Sequence, residues 1–491
     1  MFNRPWAPGS GAKGQAQGLA WIEVARHAPY FVSADGRDWT PIGQNDSVSW
    51  EGLSGLHCRR DPSAARRYLE RLRDHGVTVL RLMLEYAEVA EFLLEEPIGT
   101  FRTEMVQLWD DLFELLEALG LRVLLTPFDT FWTWLKFAEH PYSRTRGGPL
   151  DHPSRALLCA ETRAAIKARL AFATRRWGGS GALFAWDLWN EIHPGQAQDS
   201  AAPFVAFIQE LSDHLRQLEI SIHGRAHPQT VSLFGPEMRW RPHIPFADTI
   251  LRHPALDFAN LHIYEEGTID DPVNTVDAAL AMGRLVGQNI GETPAGRPFF
   301  DSEHGPIHSF KDKRITLPEP FDDEYHRHVQ WAHLAAGGAG GGMRWPNRHP
   351  HVLTEGMLAA QAAMTRFLPL IAWHRFDRRT VSDAVTCRDT AGGIIDQTVL
   401  GRFAAASRDQ AVAYLLRRDT IGPDGRLEPD AAPLALAVTI PGLFPGDYRV
   451  SLFDTQYGAV IRSLEAGCQD GQGLTVAVDI TTDLAIAFTR I

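Results

Sequence analysis

Residues 183–191 read LFAWDLWNE, an apolar run interrupted once, at Asp187, and closed by the polar pair Asn190-Glu191. A near-continuous apolar strand is what burial on both faces demands, and such strands belong to parallel sheets covered by helices. Helix-like stretches flank it, Glu161–Trp177 before and Pro203–Glu219 after. Working outward, the same unit repeats. Helix Pro62–His75 leads into VTVLRLMLEY (77–86), and helix Thr103–Leu119 into LRVLLTPFDTF (121–131). Downstream come TVSLFGPE (230–237), LDFANLHIY (256–264), a helix over 273–288, RPFFDSEHG (297–305), a helix over 323–336 and GGMRWP (341–346). With Pro41–Asn45 as the first strand, eight strands alternate with helices. That pattern predicts an α/β architecture closed as a (β/α)8 TIM barrel.

The barrel accounts for residues 21–371, including an N-terminal hairpin turned at Asp35-Gly36 that closes its bottom. From about residue 372 the character changes. Short alternating segments such as AVAYLLRRD, LALAVTI and LTVAVDI are divided by Gly, Pro and Asp turns, which predicts a small C-terminal all-β sandwich over 372–491. Residues 1–20, rich in Gly, Ala and Gln, are expected to be a flexible arm. They lack the apolar stretch of a signal peptide, so the chain as written is expected in the cytoplasm, or outside the cell if a targeting segment lies beyond it.

Composition narrows the function. Of 491 residues, 44% are hydrophobic and 22% charged, enough for a large core. The formal charge is −12, with no basic stripe, which argues against nucleic acid or an acidic membrane as partner. The pairs Arg59-Arg60 and Arg66-Arg67 read as a solvated helix face. No apolar run is long enough to span a bilayer. The cysteines Cys58, Cys159, Cys387 and Cys468 are far apart, without zinc or disulfide spacing. No cofactor motif is present.

Barrel active sites lie at the C-terminal ends of the strands. Two glutamates end strands there: Glu191 on the fourth and Glu303 on the seventh. Each alone is as well explained as a surface carboxylate or an ion-pair partner. Together, three βα units apart, they can face one another across the barrel mouth, and hydrolysis of a glycosidic bond needs such a pair flanking the anomeric carbon. Their surroundings are of the right kinds. Arg81 interrupts an apolar strand, where an unpaired guanidinium is costly; a carboxylate such as Glu303 would satisfy it, with Glu85 or Asp129 as structural alternatives. His262 and Tyr264, two apart, project to one side of the sixth strand. Tyr264 could hydrogen-bond the nucleophile, His262 the sugar or the acid/base, and a satisfied core histidine is the plain alternative. Trp345 at the eighth strand could floor a sugar site. Asn190 could reach the sugar 2-hydroxyl, but adjacent strand residues face opposite ways, so Asn190 and Glu191 share a pocket only if the strand end bends.

The strings WDLWNE, LHIY, DSEHG and the eighth-strand Trp resemble the clan A retaining glycoside hydrolases, family 5 above all, over most of residues 40–370. The resemblance implies Glu191 as general acid/base, Glu303 as nucleophile, and supporting roles for Arg81, Asn190, His262, Tyr264 and Trp345. It implies no metal and no cofactor. FAEHPYSRTRGGP after the third strand is similar to β-mannanase-like members. His304 departs from the apolar residue the family commonly carries after the nucleophile.

These readings point to a retaining β-glycosidase acting on a β-linked oligosaccharide, polysaccharide or glycoside. Aromatic residues after strand three (Phe131, Trp132, Trp134) and acidic ones after strand six (Glu265, Glu266) could wall one end of the cleft, favouring exo action on a β-mannoside or related sugar. The alternatives are an endo-acting β-mannanase or β-glucanase, and a non-catalytic carbohydrate-binding barrel. A metal hydrolase is disfavoured: His349 and His351 fall in a late loop, and His304 and His308 lack helical spacing.

Overall fold

The computed structural model describes residues 18–307, 316–346, 348, 351–469 and 471–491. Residues 1–17 of the expected arm, with His308 and His349, lie outside these. Eight parallel strands form the central sheet: β1 (Gly43–Asp46), β2 (Val79–Met83), β3 (Arg122–Thr126), β4 (Leu183–Asp187), β5 (Gln229–Thr230), β6 (Ala259–Ile263), β7 (Phe299–His304) and β8 (Met343–Arg344). They pair in sequence order, and β8 returns to β1. Between β5 and β6 the ring closes just past the short β5 ladder, where His262 N–H donates to Leu233 O and Gly235 N–H to His262 O, both at 2.9 Å. The chain is therefore a closed (β/α)8 barrel.

The connecting helices are α1 (Pro62–Asp74), α2 (Thr103–Leu119), α3 (Ala160–Trp177), α4 (Ala201–His223), the single turn α5 (Glu237–Trp240), α6 (Thr275–Glu292), α7 (Glu319–Ala335) and α8 (Glu355–Phe367). Their ends follow local chemistry. Asp61 caps α1 by accepting from Ala64 N–H ahead of Pro62, and Gly120 ends α2 in the left-handed conformation. No helix among the described residues is long and apolar enough to cross a membrane.

The N-terminal segment forms a small antiparallel sheet of three strands, Ile22–Val24, Phe31–Ser33 and Asp38–Trp39, one more than a simple hairpin. Its Phe31 packs edge-on against Phe184 and Phe258, plugging the barrel bottom. Residues 18–20 are tied to the barrel: Leu19 N–H donates to Glu117, and Arg122 donates to Ala20 O.

Two strands are shorter than the sequence pattern predicts. The run 183–191 forms a regular strand only over Leu183–Asp187, with looser pairing continuing through Leu188 N–H to Thr230 O and Asn190 N–H to Phe128 O, both at 2.8 Å. The Asp187 carboxylate turns inward to accept from Ser232 N–H and the Ser232 hydroxyl, both at 2.9 Å. Of the run 230–237 only Thr230 lies in a regular strand, Gln229–Thr230, and Glu237 opens α5 rather than ending a strand.

Beyond the barrel lie two antiparallel sheets, one of six strands and one of three. The strand Gln410–Arg417 shows how they are shared. Val412, Tyr414 and Leu416 join the barrel's core, whereas Ala411, Ala413 and Leu415 join the core between the two sheets. On the barrel side, Trp331 of α7 meets Tyr414 and Phe453, and Phe367 of α8 meets Phe453. Arg327 of α7 pairs with Asp483 at 3.5 Å.

Candidate active site

At the C-terminal ends of the strands a cavity of about 340 Å³ is lined by Met83, Asp129, Phe131, Trp132, Asn190, Glu191, His193, Phe234, Glu237, Tyr264, Glu303 and Trp345, among others. All belong to the barrel; the sandwich contributes none.

Glu191 reaches it through a bend. Asn190 stays in register with the β3 extension, donating to Phe128 O at 2.8 Å, and Glu191 then takes a φ of 48°. Left-handed backbone is strained for a residue with Cβ. Here Ser232 holds it: its hydroxyl accepts from Glu191 N–H at 3.1 Å, and its carbonyl accepts from Ile192 N–H at 3.0 Å. The bend lets Asn190 and Glu191 face one pocket. Glu303 arrives differently. The register of β7 against β6 slips between Asp301 and Glu303, a bulge that leaves Ser302 without a partner and sets Glu303 opposite His262.

Carboxylate oxygens of Glu191 and Glu303 and a ring nitrogen of His262 lie within 4.8 Å of one another. Arg81, fully buried, donates to Glu303 Oε2 at 3.0 Å, to Asp187 Oδ2 at 2.8 Å, to Asn45 Oδ1 at 2.9 Å and to Asn190 Oδ1 at 2.5 Å. Neither structural alternative takes it. Glu85 is paired with Arg169 at 2.6 Å and His140 at 3.2 Å, and Asp129 accepts instead from Asn190 Nδ2 at 2.5 Å. The Tyr264 hydroxyl donates to Glu303 Oε1 at 2.8 Å. His262 shares a 2.8 Å hydrogen bond through Nδ1 with Glu191 Oε1 and contacts Ser302 Oγ at 3.2 Å through Nε2. Trp345 and Trp132 both line the cavity, and Trp50 braces Trp345 edge-on.

The two carboxyl groups live in different fields. Burial pushes Glu191 up to about 8, helped by the charge of Asp129 and opposed by Arg81. Burial also raises Glu303; His262 opposes this, Glu191 adds to it, and Arg81 and the Tyr264 hydroxyl pull it back down. Burial holds His262 near 4, so it is neutral at neutral pH. Two carboxyl groups this close share one proton, and the cation and phenol beside Glu303 leave that proton on Glu191. Glu191, His262 and Glu303 are also the one side-chain group among the described residues whose geometry could ligate a cation. Arg81 already supplies a positive charge 3.0 Å from Glu303, which repels a second cation there.

Several site residues carry weak sequence signals. Asp187 and Asn45 hold Arg81 from below, and their only mark is a polar side chain inside a barrel strand. Ser232 has none. Glu237 sits in the pocket wall, while Glu265, expected in that wall, is turned away to Arg284 at 2.6 Å and Arg239 at 3.3 Å. Trp134 is outside the lining, edge-on to His152. His304 does not touch the cavity either. It is fully buried behind Glu303, with Nδ1 2.7 Å from Asp301 Oδ2.

No family model matches the chain, and no curated protein matches its sequence. Solved structures do match its fold. A glycoside hydrolase superposes with a TM-score of 0.57 at 12% identity, covering 96% of this chain and 97% of that one. A glycoside hydrolase family 5 protein from Bacteroides vulgatus ATCC 8482 gives 0.59 at 11% identity, covering 96% and 93%. A glycoside hydrolase family 5 mannosidase from Rhizomucor miehei gives 0.51 at 15% identity, covering 67% and 86%. The first two extend over barrel and sandwich together. At these identities the likeness concerns architecture: this chain has the fold of glycoside hydrolases of family 5.

Proposed function

We propose that this chain is a retaining β-glycoside hydrolase, exo-acting on short β-linked oligosaccharides or glycosides, with a β-mannoside as the preferred glycone. One observation carries the catalytic part: two carboxyl groups in one cavity with oxygens within 4.8 Å, one of them 3.0 Å from a buried guanidinium. Retaining enzymes need about 5–5.5 Å between carboxyl groups, inverting ones roughly 6.5–9.5 Å to admit a water. In the first step Glu303 attacks the anomeric carbon while Glu191 gives its proton to the departing oxygen. In the second, Glu191 takes a proton from water, which displaces Glu303 from the sugar. Arg81 and Tyr264 hold Glu303 in its attacking orientation. Asn190 spends one Nδ2 hydrogen on Asp129, which leaves the other for a sugar hydroxyl.

The exo preference is supported by the size of the cavity, at the small end of the roughly 300–1,000 Å³ typical of ligand sites, and by the Phe131 and Trp132 side chains in its wall. Mannoside specificity is supported by the mannosidase among the fold's relatives, a variant of which holds mannosyl-fructose. NMR of the first-formed anomer tests the mechanism, and an inverted product overturns it. Product analysis on a β-linked hexasaccharide tests the mode: monosaccharide released from the start is expected, and early mid-length fragments would establish endo action. Failure to cleave any β-glycoside in a broad screen would instead favour a carbohydrate-binding barrel.

A further inference from the structure

We propose that Asp301 is a positioning residue for the nucleophile, bracing the β7 bulge from which Glu303 reaches the cavity, and that His304 fixes Asp301 in that task. This role rests on the glycosidase function proposed above.

A bulge interrupts the β6–β7 ladder, and buried backbone groups that lose ladder partners need others. Here side chains supply them for three consecutive residues. Asp301 N–H donates to His333 Nε2 at 3.3 Å, Ser302 N–H to Asn260 Oδ1 at 3.2 Å, and Glu303 N–H to Asp301 Oδ1 at 3.2 Å. His333 can accept because its neutral ring turns the hydrogen on Nδ1 to Gly340 O at 2.7 Å. Asp301 Oδ1 also accepts from Ile263 N–H of β6 at 3.2 Å, so one carboxyl oxygen ties both sides of the bulge. Arg81 and Tyr264 hold the carboxylate of Glu303, and Asp301 holds the backbone that carries it.

His304 accounts for the other oxygen. Asp301 Oδ2 lies 2.7 Å from His304 Nδ1, one proton lies between them, and both side chains are fully buried. Burial holds the imidazole near 3, so it is neutral, and its Nε2 has no hydrogen-bond partner among the described residues. The ring thus directs its one hydrogen bond at Asp301. Gly342, just before β8, leaves room for the pair: a Cβ there would stand 3.1 Å from Asp301 Oδ2 and 3.2 Å from His304 Nδ1. An apolar residue after the nucleophile would leave this buried oxygen unpaired. Neither Asp301 nor His304 lines the cavity, so their effect on a sugar passes through the position of Glu303.

The test is covalent trapping of Glu303 by the 2-deoxy-2-fluoro glycosyl fluoride of whichever glycone the wild type cleaves, followed by mass spectrometry of the intact protein. A Glu303 oxygen bonds to the anomeric carbon as fluoride ion leaves. The rate constant reports the nucleophile's attack, and the final labelled fraction reports how much protein is folded. Small misplacements of a reacting group are costly, so Asp301→Ala and His304→Leu are expected to lower the rate constant about tenfold or more. Affinity for the reagent should be unchanged, and labelling should still reach completion. His304→Asn keeps a polar group where Nδ1 stands and is expected to stay within about threefold of wild type. Should Asp301→Ala not fold, the two His304 variants decide. A wild-type rate constant in His304→Leu or in folded Asp301→Ala would overturn the positioning role. So would losses confined to the labelled fraction, or His304→Asn as slow as His304→Leu. A wild type that is never labelled and cleaves no glycoside would overturn the glycosidase function as well.

Discussion

Arg81 and Glu303 meet at 3.0 Å in the barrel mouth, and the same guanidinium is held from below by Asp187 at 2.8 Å. One buried cation thus serves two buried carboxylates from strands on opposite sides of the barrel. Arg81→Met would leave both unpaired, at a cost of about 3–5 kcal/mol. Arg81→Lys keeps the charge but not the fork, so it should cost less stability while still impairing activity. Without the guanidinium Glu303 holds its proton more tightly, and the acid limb of kcat/KM should move to higher pH. Urea unfolding with a pH–rate profile checks both; an unmoved acid limb would separate Arg81 from the nucleophile.

Glu303→Gln and Glu191→Gln should each remove several orders of magnitude of kcat/KM on a substrate with a poor leaving group, without unfolding the protein. Retention of more than about a tenth of wild-type activity would refute the assignment for that residue.

Glu191→Gln should also change the pH dependence of stability. The folded-state pKa of Glu191 is raised from 4.5 to about 8, so between those values the folded chain holds a proton that the unfolded chain has lost. Stability from this group is full below about pH 4.5 and declines as pH rises toward 8. The glutamine variant escapes that decline, and its melting temperature should gain on wild type steadily from pH 5 to pH 8. A constant difference across that range would contradict the burial of an ionisable Glu191.

Asp129 tests the alkaline limb. Its charge is one of the influences that raise Glu191, so removing it lowers the pH at which the acid loses its proton. Asp129→Asn should therefore shift the alkaline limb of kcat/KM to lower pH. Phe131 and Trp132 N–H donate to separate Asp129 oxygens, and the single asparagine oxygen can keep one of them, so the variant's fold is checked by its melting temperature. A limb that stays in place would show that Glu191 does not feel this carboxylate.

Trp331 addresses the sandwich. Fully buried between α7 and the six-stranded sheet, its truncation to Ala should cost about 3–5 kcal/mol. Below the lowered melting temperature kcat/KM should match wild type, because no sandwich residue lines the cavity. Loss of activity in the folded variant would assign the sandwich a catalytic role.

The repeating apolar strands and intervening amphipathic stretches are local periodicities, and the sequence by itself determines a (β/α)8 barrel followed by all-β sheets. It also determines which side chains have no cheap place in a core. Arg81, His262, Glu191 and Glu303 are polar residues within or at the ends of buried strands, where each needs a partner. Which partner each finds depends on register and bends, and these are settled by contacts far apart in the chain. Ser232 holds Glu191 at positive φ from 41 residues away, and a one-residue slip in β7 sets Glu303 opposite His262. Loop conformation decided the rest. Glu237, which opens α5 beyond the two-residue strand β5, joins the pocket wall, while Glu265 is drawn off by Arg284. Such choices follow from competition among charges brought together only when the barrel closes, and no spacing along the chain records them.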